Sequence, residues 1–278
     1  MNDTDIRNIV LANLAAQGIR YVPVGVSARH VHLCRQDLSR LFGPGYALTP
    51  RRPLTQPGQF ASEERVTVSG PGGSLADIRV LGPVRGFTQI EMAFSDLLRL
   101  GIEGQVRLSG SVEDTPGCTL KGPAGEIAVS RGVIAAARHL HLSDAQAACY
   151  GLKNGEIVSV RADGPRAAVL EQIVCRVGKG NELELHLDTD EANAVHVRTG
   201  DILEVLAPCG PEPIPDVRRP GCEKAAACEE TEPMDVITER DVTDAFRGGK
   251  KIIRCRPRAI VTDAAWDRAR SLSIEIKR

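Results

Sequence analysis

Apolar and polar residues alternate in short runs through most of this chain. Between Tyr21 and Pro208 the segments VPVGVS, RVTVSG, LADIRVLGP, QVRLSG, EIAVSRG, EIVSVRADG, QIVCRVG and ELELHLD follow one another, punctuated by Gly and Pro. Alternation with a period of two sets successive side chains on opposite faces of a strand. Many short strands between turn signals predict a mainly β fold of the barrel or sandwich kind. GPGG at 70–73 reads as a hairpin turn. Helical spacing is sparse. Ile6, Ile9, Val10, Leu11 and Leu14 predict a helix over 4–17, with Thr4 as its cap and Gly18 as its stop. Gln36–Phe42 and Ser143–Tyr150 predict two shorter helices, the second opened by Ser143 and Asp144.

One pattern occurs twice. VSARHVHL at 26–33 returns as AAARHLHL at 135–142, each time ending a β-like run and leading into a short helix. A duplicated strand–helix unit predicts two similar domains facing each other. After Pro208 the periodicity stops. Residues 208–235 are rich in Pro, Glu, Ala and Cys and read as a linker. Residues 236–278 regain order: a helix capped by Thr238 and ending near Gly248–Gly249, a strand in KKIIRC, a helix over Thr262–Arg270 and a strand in LSIEIK.

The 278 residues suffice for two compact domains, and 42% hydrophobic with 26% charged residues is a globular profile. Aromatics at 3% leave no stacking platform for single-stranded nucleic acid, and a net charge of −1 gives no reason to expect a polyanion. No apolar run approaches the roughly 20 residues of a membrane span. Asp3 and Asp5 stand where a secretory signal would carry basic residues. The eight cysteines include no C-x-x-C pair and read as reduced thiols of a cytoplasmic protein. Cys209, Cys222 and Cys228 cluster in the linker at a spacing that matches no metal pattern.

The repeated segment concentrates the candidate chemistry. Four of six histidines form two H-x-H pairs, His30 with His32 and His139 with His141. On a strand, residues i and i+2 share a face, so each pair can present two imidazoles to one metal ion, zinc being the natural partner of nitrogen-rich sites. A plainer reading, half-buried strand histidines bonded to backbone carbonyls, explains one pair but not the repetition. His186 ends the alternating strand ELELHLD before an Asp-capped helix, and by periodicity alone is equally a surface histidine. His196 has no motif around it and reads as structural. Glu91, after a β-like run, can supply a carboxylate ligand. Arg85, in a Gly/Pro turn of LGPVRG, can grip phosphate in bidentate fashion. Taken alone, both also read as ordinary surface charges. No G-x-S-x-G, P-loop or G-x-G-x-x-G motif is present.

VPVGVSARHVHL, LTQPGQFASEE, VLGPVRGFTQIE, GVIAAARHLHLS and ELHLDTDEANA, in order from about Tyr21 to Pro208, resemble the PduL-type phosphate propanoyltransferases. The resemblance implies an enzyme that interconverts a short acyl-CoA, propanoyl or acetyl, and phosphate with acyl phosphate and CoA. It implies a first β-barrel domain over 21–125 and a second over 126–207, with a two-zinc site between them. It carries the metal-ligand role to His30, His32, His139, His141, His186 and Glu91, and the phosphate-binding role to Arg85. The expected division sets His30 and His32 on one ion and the other four ligands on the second. It further implies a bacterial microcompartment lumen, with shell or cargo proteins or a second copy as partners, and no nucleic acid or membrane. Residues 1–20 then read as a helix that is either a targeting segment or part of the fold. The module at 236–278 is similar to segments of other microcompartment-associated proteins. Two readings stay open beside this one: a zinc-dependent thioester or ester hydrolase, and an inactive assembly protein.

Overall fold

The computed structural model describes residues 3–206, 234–247, 252–272 and 274–277. They fall into two compact units, one ending at Pro215 and one beginning at Asp216. Among the described residues no helix is long and apolar enough to cross a membrane.

The first unit opens with α1 (Asp3–Ala16), then β1 (Tyr21–Ser27), β2 (His30–Cys34), α2 (Arg35–Phe42) and β3 (Pro50–Pro53). A long hairpin, β4 (Phe60–Gly70) and β5 (Gly73–Arg85), pairs Gly70 with Gly73 as GPGG predicts. β6 (Gln89–Glu91), α3 (Phe94–Leu100), β7 (Val106–Arg107), β8 (Cys118–Lys121) and β9 (Glu126–Val129) follow. The pattern then repeats with β10 (Val133–Ala136), β11 (His139–Leu142), α4 (Asp144–Tyr150), β12 (Ile157–Ala162), β13 (Ala168–Val177), β14 (Glu184–Asp188), α5 (Thr189–Val195) and β15 (Ile202–Val205). The fold is mainly β, as expected. One sheet closes into a six-stranded barrel in the order β1-β14-β11-β13-β12-β15, and a nine-stranded sheet, curled as a half-barrel, runs β7-β10-β6-β2-β5-β4-β8-β9 with β3 on β4.

Strand pairing crosses the linear boundary expected at 125/126. β1, from the first half of the sequence, pairs with β14 and β15 in the closed barrel. β10, from the second half, pairs with β6 and β7 in the other sheet. The exchange is symmetric: Val24 and Gly25 lie beside Leu185 and His186, as Val133 and Ile134 lie beside Ile90 and Glu91. Each strand therefore leaves for the opposite sheet two residues before its H-x-H segment begins. The two halves of the sequence are thus tied together by the backbone hydrogen bonds of each sheet.

Each sheet closes over its own core. Leu140, Leu142, Val158, Ile173 and Leu185 fill the closed barrel, and Val31, Leu33, Val66, Val80 and Ile90 fill the other. Burying an aliphatic side chain of this size contributes about 1.5–3 kcal/mol, so these alternating residues set which strand face turns inward. α1 includes Thr4 within its first turn instead of using it as a cap, and sends Leu11 and Ala15 into the closed-barrel core. Asn8 also reaches Glu182 at 3.1 Å, so this helix is packed into the fold. α2 buries Leu38 and Leu41. α4 carries a full capping box between Ser143 and Gln146, and its Tyr150 hydroxyl donates to the Tyr21 carbonyl at 2.5 Å. His196 is structural: it caps α5 in the left-handed region at φ 58.

The second unit contains β16 (Met234–Ile237), α6 (Glu239–Arg247), β17 (Ile252–Val261), α7 (Asp263–Leu272) and β18 (Glu275–Lys277). Its strands form one parallel sheet in the order β16-β17-β18. Ile237, Val242, Ile253, Ala265 and Ala269 make its core. This is the small α/β module expected, with its first strand starting at Met234. The expected linker lies almost entirely outside the described residues, and so do Cys209, Cys222 and Cys228.

Candidate metal centre

The alternation that buries Leu140 and Leu142 turns His139 and His141 to the other face of β11. The same alternation in β2 buries Val31 and Leu33 and turns out His30 and His32. All four histidines are nevertheless buried. A cleft lined by Ser27, Glu91, Ala136, His139, His186 and Asp188 draws on strands of both sheets. The duplicated histidines therefore occupy the seam between the two sheets.

Two clusters of ligand-type atoms form there: His30, His32 and Glu91, and His139, His141 and His186. Within each, the ligand atoms lie within 4.8 Å of one another. In the second cluster the ring centroids stand 4.8 Å apart for all three pairs, an even triangle of imidazoles. In the first, His30 and His32 stand 5.0 Å apart, and His30 Nε2 lies 3.5 Å from Glu91 Oε2.

Register explains the third member of each cluster. β6 runs antiparallel to β2 with Glu91 across from His30 and Gln89 across from His32. β14 runs antiparallel to β11 with His186 across from His139 and Glu184 across from His141. Glu91 thus stands beside His30, not with the three histidines to which the expected division assigned it. It still lines the cleft with His139 and His186.

These correspondences reveal a second repeat. QIEMAFSD at 89–96 matches ELHLDTDE at 184–191 position by position: Gln89 with Glu184, Glu91 with His186 and Asp96 with Glu191. The following helices even end alike, with Gly101 and His196 both left-handed C-caps. The arginine before each H-x-H pair grips the acidic residue of the matching helix. Arg29 Nε meets Asp96 Oδ2 at 2.9 Å, and Arg138 Nε meets Glu191 Oε1 at 2.5 Å.

The ring nitrogens are assigned by their partners. His30 Nδ1–H donates to the Ala28 carbonyl and His139 Nδ1–H to the Ala137 carbonyl, both at 2.8 Å. Each of these rings then turns Nε2 toward its cluster, that of His30 lying 3.5 Å from Glu91 Oε2. His32 Nδ1 and His141 Nδ1 are buried with no hydrogen-bond partner among the described residues. An unsatisfied buried polar atom costs about 1–3 kcal/mol, so two at equivalent positions call for a partner that the side chains do not supply.

Electrostatics suits cations at both clusters. Burial, with help from His30 and Arg85, lowers His32 to about 2. Burial lowers His139 to about 4 and His141 to about 2, with neighbouring imidazoles adding to both shifts. These three rings are neutral at pH 7, as a metal requires, whereas burial lowers His30 but Glu91 more than offsets it and raises that ring above its ordinary value. Burial opposes the charge of Glu91, but His30, then His32 and Ser109, hold its carboxyl well below the usual carboxylate range. A three-imidazole set and a two-imidazole, one-carboxylate set are both donor sets that zinc accepts. The residues present fit such an ion at each cluster.

Arg85 is the last residue of β5, not part of a turn. Its Nη1 donates to Ser109 Oγ at 3.3 Å. Ser109 in turn donates to Glu91 Oε1 at 2.9 Å, and Gln89 Nε2 donates to the same oxygen at 2.6 Å. Burial lowers the Arg85 guanidinium, while Glu91 favours its charge. Arg85 therefore belongs to the network around the first cluster. The sequence reading singled out none of Gln89, Ser109 and Glu184. Glu184 accepts from His186 Nε2 at 2.7 Å, a hydrogen bond that fixes the orientation of that ring. The signal for Gln89 and Glu184 was i−2 spacing from a candidate ligand on the same strand.

A family model described as phosphate propanoyltransferase matches residues 23–198. Three proteins named phosphate propanoyltransferase are similar over much of their length. That of Thermotoga maritima is 48% identical over 184 residues, 66% of this chain and 88% of the relative. That of Rhodopseudomonas palustris is 46% identical over 184 residues, 66% and 81% of the two chains. That of Rhodobacter capsulatus is 42% identical over 203 residues, 70% and 94%.

Proposed function

The chain belongs to the phosphate propanoyltransferase family and is a phosphate acyltransferase, and we propose that it works at two zinc ions held by the two histidine clusters. Its reaction is the interconversion of propanoyl-CoA and phosphate with propanoyl phosphate and CoA. His30, His32 and Glu91 hold one ion, and His139, His141 and His186 the other. Arg85 grips phosphate. The observation that carries the reading is the pair of seam-facing clusters, each with an unpartnered buried Nδ1, beside a half-buried arginine.

In the direction that makes acyl phosphate, a phosphate oxygen attacks the thioester carbonyl. A C–O bond forms, the C–S bond breaks, and CoA departs as thiolate. Phosphate repels the anionic coenzyme, so the protein must offset charge and fix the angle of attack. Arg85 does both through its planar fork, and its partial burial strengthens the grip. Ser109 and Gln89 hold Arg85 and Glu91 in fixed relation through the hydrogen bonds described above. Bound zinc supplies Lewis acidity toward the acyl carbonyl and a soft site for thiolate. The seam excludes bulk water from these groups, which protects the thioester from hydrolysis.

Propanoyl is the proposed acyl group, with acetyl accepted. One methylene in an apolar pocket is worth about 1–3 kcal/mol, so the preference is modest. We extend the proposal to residence in a microcompartment lumen, which co-purification with shell protein, with and without residues 236–278, tests separately. The acyl-transfer reading is tested by following propanoyl-CoA consumption with and without phosphate. Strict phosphate dependence supports it, and equal consumption without phosphate replaces it with a hydrolase.

A further inference from the structure

We propose that Arg176, from the closed barrel, grips the same phosphate as Arg85, so that the anion is held between one arginine from each sheet. The inference rests on the phosphate reading of Arg85 and deepens it.

The placement follows from register. β13 runs parallel to β11, with Val174 beside His139, Cys175 beside Leu140 and Arg176 beside His141. Leu140 and Cys175 both point into the barrel core and are fully buried. Residues adjacent in register share a sheet face, so Arg176 leaves the barrel on the face that carries His139 and His141. It is half-buried there.

Arg176 lacks the partners that its counterparts have. Arg29 is paired with Asp96, and Arg138 with Glu191 and the Glu171 carbonyl. Arg79 is bonded to the Ser62 carbonyl. No hydrogen bond or ion pair engages the Arg176 guanidinium among the described residues, and Arg176 is not among those with an interaction left undescribed. Instead it stands beside His141 in register. Its charge disfavours that of Arg85, and disfavours protonation of His139 and His141. The carboxylates of the two clusters are already engaged, Glu91 by His30, Gln89 and Ser109 and Glu184 by His186, and neither pairs with Arg176 among the described residues. An oxyanion between the Arg85 and Arg176 guanidiniums offsets their mutual repulsion and fills both forks.

The repeat supports a specific role. In the other sheet the matching position, beside His32, is Leu81. The neighbouring register pair changes the other way, from Arg79 beside His30 to Val174 beside His139, so each half sets one arginine beside its H-x-H pair; Arg79 is bonded to the Ser62 carbonyl, whereas Arg176 has no such partner among the described residues.

The test uses the full-length, zinc-loaded protein and four variants: Arg176→Ala, Arg176→Lys, Arg85→Ala and the double alanine variant. The expected result for Arg176→Ala is a rise of at least tenfold in KM for phosphate, with KM for propanoyl-CoA within twofold and zinc content unchanged. Arg176→Lys, which keeps the charge but not the fork, recovers part of the loss. Calorimetric titration with inorganic phosphate reads the same weakening without turnover. An unchanged phosphate KM and affinity in both Arg176 variants overturns the proposal. So does a rise in KM for propanoyl-CoA alone, which would assign Arg176 to the coenzyme. Arg85→Ala separates the two claims: if only that variant weakens phosphate, Arg176 is wrong and Arg85 stands. If only Arg176→Ala does, Arg176 binds phosphate and Arg85 does not, which overturns the shared grip.

Discussion

Glu91 faces His30 across the β2–β6 pair, its Oε2 3.5 Å from His30 Nε2, at the register position that His186 takes opposite His139. One backbone address, used twice, carries a carboxylate in one half and an imidazole in the other. The two candidate metal clusters therefore share a frame but not a charge. An ion held by His30, His32 and Glu91 keeps one positive charge, whereas one held by three neutral imidazoles keeps both.

That difference predicts separable metal loss. Glu91→Gln keeps the shape and removes the charge, and is expected to lower zinc from two ions per chain toward one. His139→Ala is expected to do the same from the other cluster. Elemental analysis of each purified variant checks this. Unchanged zinc content in His139→Ala would remove that residue from the ligand set.

Arg85→Ala is expected to raise KM for phosphate about tenfold or more and to lower kcat, since the lost grip both binds and orients the nucleophile. Zinc content should not change. Initial rates with varied phosphate measure the effect, and wild-type kinetics would place phosphate elsewhere.

Gly25 makes room for the carboxylate that holds His186. A Cβ at position 25 would lie 2.6 Å from Glu184 Cδ, and Gly25 is the register partner of His186. Gly25→Ala is expected to push Glu184 off His186 Nε2, destabilise the protein by about 1–3 kcal/mol and weaken the second cluster's zinc. Thermal unfolding with and without chelator reads both effects.

Much of this architecture was legible because it lies in local pattern. Alternation foretold the β fold, and the HVHL and HLHL segments foretold that histidines would gather in two equivalent places. What escaped was non-local. VPVGVS and the HVHL that follows it are separated only by Ala28 and Arg29, yet the two strands join different sheets. No Gly or Pro marks the break, because pairing with β14 decides it. The repeat of 89–96 in 184–191 was hidden because its chemistry changed: Gln for Glu, Glu for His and Asp for Glu, on one shared backbone. Arg176 went unremarked because only the β11–β13 register brings it to His141.

The helix α3 escaped for a related reason. Its N-cap, Ala93, has no capping side chain. The cap comes instead from Asp190 of α5, whose carboxylate accepts from Ser95 N–H at 2.8 Å and from Ser95 Oγ at 2.7 Å. Asp190→Ala is therefore expected to cost about 0.5–2 kcal/mol, in the range of a lost N-cap. It also removes a tie between the two sheets. Chemical denaturation measures the loss, and a stability within about 0.3 kcal/mol of wild type would show that the cap contributes little.

The most direct measurement is CoA thioester formation from propanoyl phosphate and CoA by the purified chain, before and after chelation and again after zinc is restored. The account predicts formation that stops on chelation, returns with zinc and reverses when phosphate is added in excess. No thioester from zinc-replete protein, or a rate that chelation leaves unchanged after zinc has been removed, would contradict it.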